Sequence, residues 1–171
     1  MTRIGELSKA AWSHVDWDKR TLSIPSENTK NGKAHTIYLA DYALSVLREL
    51  HKQTGSTSWL FPGKDKRQHI GEKVFSKQVK DRQRPDQVNG RTAANTALLL
   101  AGGSWTPHDL RRTGATILGD IGIASEVIER CLNHQPSDAL VGVYQRSDLW
   151  EARVDALTKL DAYLYEIFIL A

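Results

Sequence analysis

Three side chains in the second half of the sequence form a set that could attack a phosphodiester. His108 and Arg111 lie three positions apart, so on a helix both project from one face. The Arg111 guanidinium is a planar fork that can hold two phosphate oxygens at once. Tyr144, farther along the chain, has a hydroxyl that could attack a phosphorus held in this way. The pattern favours phosphoryl transfer to a tyrosine without a metal ion.

The elements that must position these residues are predicted to be helices. Thr106-Pro107 is a strong helix start, and Gly122 predicts the end of that helix. Ser125 is expected to cap a short helix that reaches about residue 133. Ser137 is expected to cap another that leads to Tyr144. A long helix over about residues 148–168 closes the chain.

The first part of the sequence predicts a small sheet followed by more helices. Two strands are expected between residues 12 and 25, then a turn at Asn31-Gly32, then a strand over 35–39. Asp41 is expected to cap an amphipathic helix. Further helices are predicted over residues 69–83 and 91–101. The fold class is therefore α+β and mostly helical, with a small N-terminal antiparallel sheet of two or three strands packed against a helical core.

Charge adds a candidate binding surface. The chain has 171 residues, a net charge of +3 and a pI near 9.0, which permits nucleic-acid binding without requiring it. Lysines and arginines are concentrated between residues 64 and 91. On charge alone, this stretch fits a solvated helix face as well as it fits a DNA-binding patch. If DNA is the partner, the side chains expected to track its backbone are Lys73, Lys77, Lys80, Arg82, Arg84, Arg91 and Arg112.

Cysteine and histidine usage bounds the other classes of site. Cys131 is the single cysteine, so no disulfide forms within the chain, and its apolar neighbours predict a buried thiol. No histidine spacing typical of a metal site occurs, and we expect neither a metal nor a cofactor; the histidines expected to be structural or exposed are His14, His35, His51 and His69. With no signal pattern or membrane-spanning apolar run, a soluble cytoplasmic protein is expected.

Several segments together resemble the catalytic domain of a tyrosine recombinase, in particular a prophage integrase. The family's first arginine box is resembled by Thr2-Arg3-Ile4-Gly5-Glu6-Leu7, and its β-hairpin lysine segment by Thr29-Lys30-Asn31-Gly32. Its second arginine box is resembled by His108-Asp109-Leu110-Arg111-Arg112-Thr113. Its Leu-Gly-His motif is resembled by Leu132-Asn133-His134, with Asn133 in the glycine position. Tyr144 follows where the family's nucleophile belongs. Each piece alone has an ordinary structural explanation, but their joint occurrence in order favours the family.

The resemblance implies a role for each matched residue. Tyr144 would attack the scissile phosphate and form a 3′-phosphotyrosine, and Arg3 with Arg111 would bind the non-bridging oxygens. His108 and His134 would donate hydrogen bonds to those oxygens or help move the tyrosine proton.

The same resemblance gives roles to two residues near the start of the chain. Lys30, on the hairpin, would protonate the leaving 5′-oxygen, because an alkoxide leaves poorly. Glu6 would orient a catalytic side chain.

The resemblance also sets expectations for organisation and partners. Residues 1–171 would be the catalytic domain, without the family's N-terminal DNA-binding domains. Residues 148–171 would form a C-terminal helix and tail that packs within the chain or on a neighbouring protomer. Double-stranded DNA at attachment sites, a homotetramer on DNA and DNA-bending accessory proteins are the implied partners, and the protein would associate with the nucleoid of a bacterium.

Three other functions stay open. A type IB topoisomerase uses similar chemistry to relax DNA. A decayed prophage remnant would bind DNA without forming a covalent adduct. A metal-dependent nuclease would need an acidic cluster, which the sequence does not suggest.

Overall fold

A computed structural model describes residues 1–134 and 148–170 of the chain. Tyr144 and the helix predicted to lead to it lie outside the described residues. The helices are α1 (Ile4–Ser8), α2 (Asp41–Thr54), α3 (Glu72–Asp81), α4 (Pro107–Asp120), α5 (Ser125–Cys131) and α6 (Trp150–Leu170). The strands are β1 (Val15–Asp16), β2 (Thr21–Ile24) and β3 (His35–Tyr38), and short 3₁₀ turns cover Trp12–His14 and Ser26–Asn28. The predicted mostly helical α+β fold is confirmed.

The three strands form one antiparallel sheet in the order β1-β2-β3. Val15 pairs with Leu22, which pairs with Ile37, so these apolar side chains fall in one row across the sheet. All three are buried. This apolar face packs into the same core as α2 and α6, which fixes the sheet against the helices.

α6 lies at the centre of the helical layer. It contacts α2, α4, α5 and β3. Its buried face presents Ala156, Leu157 and Leu160 to a core that also contains Leu118 of α4 and Leu60. These positions repeat at helical spacing and form an apolar stripe on α6, which docks within its own chain as far as the partly buried Leu164.

The start of α2 differs from the prediction. Asp41 is the first helical residue rather than the cap, and its carboxylate binds Arg20 instead. The backbone N–H groups of Tyr42 and Ala43, in the first turn of α2, donate to the carboxylate of Asp161 on α6, at 2.8 and 3.1 Å. A side chain distant in sequence thus does what an N-cap residue ordinarily does. A similar one-residue difference occurs at α5, where Ala124 precedes the helix and Ser125 begins it.

The helix predicted over residues 91–101 is wrong, because this segment is a series of turns. Thr92 accepts a hydrogen bond from the Ala94 N–H, which closes a local turn. Arg84 and Asn95 are joined by the Arg84 N–H to the Asn95 carbonyl and by the Asn95 amide to the Arg84 carbonyl. These bonds tie the loop to the end of α3 and compete with a helix. α3 is also shorter than predicted, since it starts at Glu72 after Gly71.

Cys131 is buried, as predicted, and a buried histidine lies beside it. The His35 ring hydrogen bonds to the backbone of Cys131, and its Nδ1 is 3.5 Å from the Arg153 Nη2. Burial, together with the nearby Arg153 charge, lowers the pKa of His35 from 6.5 to about 4. His35 is therefore neutral in the folded protein at neutral pH.

The Asp161 contact predicts a measurable stability effect. Asp161→Ala should lower the free energy of unfolding by about 1 kcal/mol, because it removes the acceptor at the start of α2. Urea denaturation checks this. The control is Asp155→Ala on the same helix. Its carboxylate pairs with the exposed Lys159, so its loss should change stability by less than about 0.5 kcal/mol. Equal effects of the two substitutions would contradict the capping role.

Acid should weaken the fold through His35. The unfolded ring takes up a proton below its ordinary pKa of 6.5, whereas the folded ring does so only near 4. The contribution of neutral His35 to the free energy of unfolding is therefore fully present above pH 6.5. It is lost as the pH drops toward 4, by up to roughly 3 kcal/mol. Urea denaturation between about pH 7 and about pH 4.5 should show a smaller loss for His35→Gln than for the wild type. Identical pH dependence would assign the acid sensitivity to other groups.

Candidate active site

The first turn of α4 is held by its own side chains. Thr106 donates from its N–H and its hydroxyl to the Asp109 carboxylate, at 2.9 and 2.8 Å, and Pro107 occupies the first helical position. Just before it, the Trp105 backbone forms two 2.8 Å hydrogen bonds with the Gln83 side-chain amide. These contacts anchor the start of α4 to the end of α3. They set the direction in which the helix presents His108 and Arg111.

Arg111 is a buried cation at the junction of three segments. It is 8% exposed, and its guanidinium donates to the carbonyls of Met1 and Leu132. Its Nη2 also lies 3.3 Å from the His134 Nε2. Burial, and secondarily the charge of Arg3, lower the pKa of Arg111 to about 10. The side chain therefore stays charged at neutral pH.

Arg3 and Glu6 carry charges that act on Arg111. We call Arg3, Glu6, Arg111 and His134 together the arginine centre. Arg3 immediately precedes α1, and its Nη1 is 2.8 Å from the Glu6 Oε1, while its backbone N–H donates to Glu6 Oε2 at 2.9 Å. Glu6 is 3% exposed, so its carboxylate is fixed within the protein. The positive charge of Arg3 contributes to the lowered pKa of Arg111, whereas the carboxylate of Glu6 acts in the opposite direction. Glu6 therefore partly compensates the repulsion between the two arginines.

His134 reaches Arg111 through an unusual turn at the end of α5. Asn133 has φ of +51°, in the left-handed region where glycine and asparagine are the residues best tolerated. The His134 N–H then donates back to the Glu129 carbonyl at 3.0 Å. Asn133 therefore adopts the backbone conformation that a glycine in the Leu-Gly-His motif would allow. The turn points the His134 ring toward Arg111.

Lys30 lies on the turn that precedes β3, and it is exposed. Its neighbour Asn31 donates to the backbone carbonyl and the side-chain oxygen of Asn133, at 2.8 and 3.1 Å. The turn that carries Lys30 is therefore attached to the residue beside His134. The structure thereby brings the Lys30 turn close to the segment whose Leu132 carbonyl binds Arg111.

The other predicted residues occupy different positions. His108 is exposed on α4, one turn before Arg111. Within residues 1–134 and 148–170, no described contact joins it to the other predicted catalytic residues. Direct contacts or charge interactions bring together Arg3, Glu6, Arg111 and His134. Tyr144 lies outside the described residues.

The predicted basic residues fall into two groups. The side chains exposed on α3 are Lys73, Lys77 and Lys80. Arg84 and Arg91 instead bind the buried Asp81, at 3.2 and 2.8 Å, and the hydrogen bond from Arg91 lowers the pKa of Asp81. Arg82 binds Gln78, and Arg112 is mostly exposed with Asp109 at 3.6 Å. Arg84 and Arg91 thus stabilise the loop after α3.

Sequence reasoning missed Glu129 and Arg153. The Glu129 Oε2 lies 2.7 Å from the His134 Nδ1. Arg153 is 2% exposed; it binds both Asp148 oxygens at 2.8 Å and the Thr36 carbonyl of β3. A signal for Arg153 was available, because it occupies a core position of the apolar stripe on α6. A charged residue at such a position indicates a buried, paired charge.

The described residues also bear on metals and membranes. Among residues 1–134 and 148–170, no group of three histidine, cysteine, aspartate or glutamate side chains is placed to hold a metal ion. Within the same part of the chain, no helix is long and apolar enough to cross a membrane.

Two solved structures share this fold. The integrase from mycobacterium phage Brujita superposes with a TM-score of 0.63 at 21% identity, over 92% of this chain and 46% of that one. The XerA recombinase superposes with a TM-score of 0.62 at 22% identity, over 88% of this chain and 51% of that one.

Sequence comparison identifies the family. Prophage integrases IntA and IntZ of Escherichia coli strain K12 are 29% and 23% identical to this chain, over 90% and 85% of its length. The chain spans about one third of the length of these relatives, 33% and 32%. The sequence profile of the phage integrase family matches residues 1–149. The chain therefore belongs to the phage integrase family of tyrosine recombinases.

Proposed function

We propose that this chain carries out site-specific cleavage and rejoining of DNA strands through a 3′-phosphotyrosine on Tyr144. The observation that carries the proposal is the arginine centre, in which the buried Arg111 guanidinium contacts His134 and is influenced by the charge of Arg3, itself paired with the buried Glu6. Such a centre suits a phosphate whose negative charge increases in the transition state. Family membership supports recombination as the outcome of the cleavage.

In the proposed cleavage step, the Tyr144 oxygen attacks phosphorus as its hydroxyl proton leaves toward a histidine. The bond from phosphorus to the 5′-oxygen breaks, and Lys30 gives that oxygen a proton. Arg3 and Arg111 bind the non-bridging oxygens throughout. Attack by a 5′-hydroxyl on the phosphotyrosine reverses the step and rejoins DNA, so no high-energy cofactor is consumed.

The packing of Arg111 supports its proposed role. Carbonyl acceptors and the His134 ring hold the guanidinium in place before any substrate arrives. A fixed donor needs little reorganisation during the reaction, and partial burial strengthens its interaction with an anion. Nη1 carries two hydrogens, so one remains for a phosphate oxygen when the other binds the Met1 carbonyl.

DNA would lie across the site and along α3. The exposed lysines of α3 and Arg112 of α4 provide charge on elements that contact each other. In this proposal residues 1–171 are a catalytic domain, and double-stranded DNA carrying an attachment site is its partner. Tetramer assembly and DNA-bending accessory proteins belong to the same proposal.

The C-terminal helix has two parts in this proposal. Up to Leu164 it packs on its own chain, and Asp161 fixes it to α2. Beyond that point Tyr165 and Ile167 are 53% and 48% exposed. Exposed apolar side chains at the end of a docked helix favour a contact with a neighbouring protomer on DNA.

Covalent trapping on a nicked suicide DNA substrate with an authentic attachment core, in EDTA, tests the chemistry. The wild type should form a protein–DNA adduct, and Tyr144→Phe should form none while binding the DNA equally well, because only the nucleophilic hydroxyl is lost. Cleavage that requires a divalent metal would support a nuclease instead. DNA binding without an adduct by the wild type would favour the decayed remnant, and relaxation of supercoiled DNA without sequence preference would favour the topoisomerase.

Salt dependence tests the DNA surface. Lys77→Ala should weaken DNA binding and reduce the slope of log K against log salt by about 1, because one phosphate contact is lost. Fluorescence anisotropy over a salt series measures both. Lys159→Ala on α6 removes the same charge from a side chain paired with Asp155, and its slope should match the wild type. A similar decrease for both variants would mean that net charge, rather than the α3 surface, determines binding.

A further inference from the structure

A carboxylate without a task in the proposed reaction lies directly beside His134. The Glu129 Oε2 is 2.7 Å from the ring Nδ1, and on the opposite side of the ring Nε2 is 3.3 Å from the Arg111 Nη2. The imidazole is therefore placed between an anion and a cation. These two neighbours impose different requirements on the two ring nitrogens.

The requirements select one tautomer. A carboxylate only accepts hydrogen bonds, so the Nδ1 that faces it must carry a hydrogen. A guanidinium only donates, so the Nε2 that faces Arg111 must offer its lone pair. The neutral ring that satisfies both has its hydrogen on Nδ1. The opposite tautomer would leave a lone pair against the carboxylate and an N–H against the guanidinium.

Glu129 is attached to His134 twice. Besides the side-chain contact, the Glu129 carbonyl accepts the His134 N–H at 3.0 Å, across the left-handed turn at Asn133. The backbone hydrogen bond fixes the position of the His134 main chain, and the carboxylate fixes the orientation of the imidazole ring. With the glutamate and histidine side chains 55% and 40% exposed, the ring remains accessible to a substrate.

We propose that Glu129 is a positioning residue that holds His134 as the Nδ1–H tautomer, with the Nε2 lone pair directed at Arg111 and the phosphate site. The consequence for catalysis rests on the proposed function. In the cleavage step Nε2 exchanges the Arg111 N–H for the Tyr144 hydroxyl and takes the proton that this hydroxyl loses. The resulting imidazolium donates from Nε2 to a phosphate oxygen, and Glu129 balances its charge. The proton returns to the tyrosine oxygen when the strand is rejoined.

The tautomer is measurable in the free protein without any cleavage. Long-range ¹H–¹⁵N correlation on histidine-labelled protein, in mildly alkaline buffer, distinguishes a nitrogen that carries hydrogen from one that does not. His134→Asn identifies the His134 signals. The wild type should show hydrogen on Nδ1, Glu129→Gln should retain it because the amide oxygen still accepts, and Glu129→Ala should show a mixture of tautomers.

Cleavage of pre-bound suicide substrate provides the second readout. Glu129→Ala should slow adduct formation by about tenfold or more at unchanged DNA affinity, as for other partners that orient a reacting imidazole. Glu129→Gln should lie between it and the wild type, because it orients the ring but does not balance the imidazolium charge. Glu126→Ala on the same helix, an exposed glutamate one turn earlier, should match the wild type in both readouts. Amide spectra of each variant establish that it is folded.

The outcomes separate this inference from the proposed function. Hydrogen on Nε2 in the wild type, or an unchanged tautomer and cleavage rate in Glu129→Ala, would overturn the positioning role even if adducts form. A wild type that shows the Nδ1–H tautomer lost in Glu129→Ala, yet forms no adduct on an authentic core, would refute the proposed chemistry and leave the positioning role supported.

Discussion

The burial of the Arg111 guanidinium is the constraint on which the candidate site depends. Removing a cation from water costs several kcal/mol unless partners replace the lost hydration. Here three partners replace it: the Met1 carbonyl at the start of the sequence, and the Leu132 carbonyl and His134 ring just after α5. Since α4 must meet all of them at once, one side chain holds the first residues and the end of α5 against α4. The same burial that organises these segments also fixes the guanidinium that we propose binds the phosphate.

Local signals in the sequence predict the sheet, the start of α4 and the types of residue at the candidate site. The Thr106-Pro107 start and the Asn31-Gly32 turn are determined by neighbouring residues, so the structure matches them. The failures have tertiary causes. Asp161 acts at the start of α2 from far along the chain, and Asn95 binds the Arg84 carbonyl in place of continuing a helix. The contacts of His134 with Arg111 and Glu129 also depend on a backbone turn that residue types alone do not specify.

Asn133 shows why a departure from a family motif can preserve its geometry. The left-handed backbone there is what a glycine would permit, and asparagine tolerates it at modest cost. Its side chain adds what glycine lacks, because the Asn133 Oδ1 accepts from the Asn31 amide at 3.1 Å. The substitution therefore links the turn that carries Lys30 to the turn that carries His134. In a site assembled from separate segments, that link restricts how far the lysine can move from the arginine centre.

A second buried cation supports the same turn from the other side. Arg153 binds Asp148 and the Thr36 carbonyl, and its Nη2 faces the His35 ring, which in turn bonds to the Cys131 backbone. The end of α5 is thus held at Leu132 by Arg111 and, through His35, at Cys131 by Arg153. A proton on His35 would place two cations 3.5 Å apart in a buried site. Because the repulsive contact would lie one residue from the Leu132 carbonyl that binds Arg111, acid would disturb the arginine centre through this neighbouring contact.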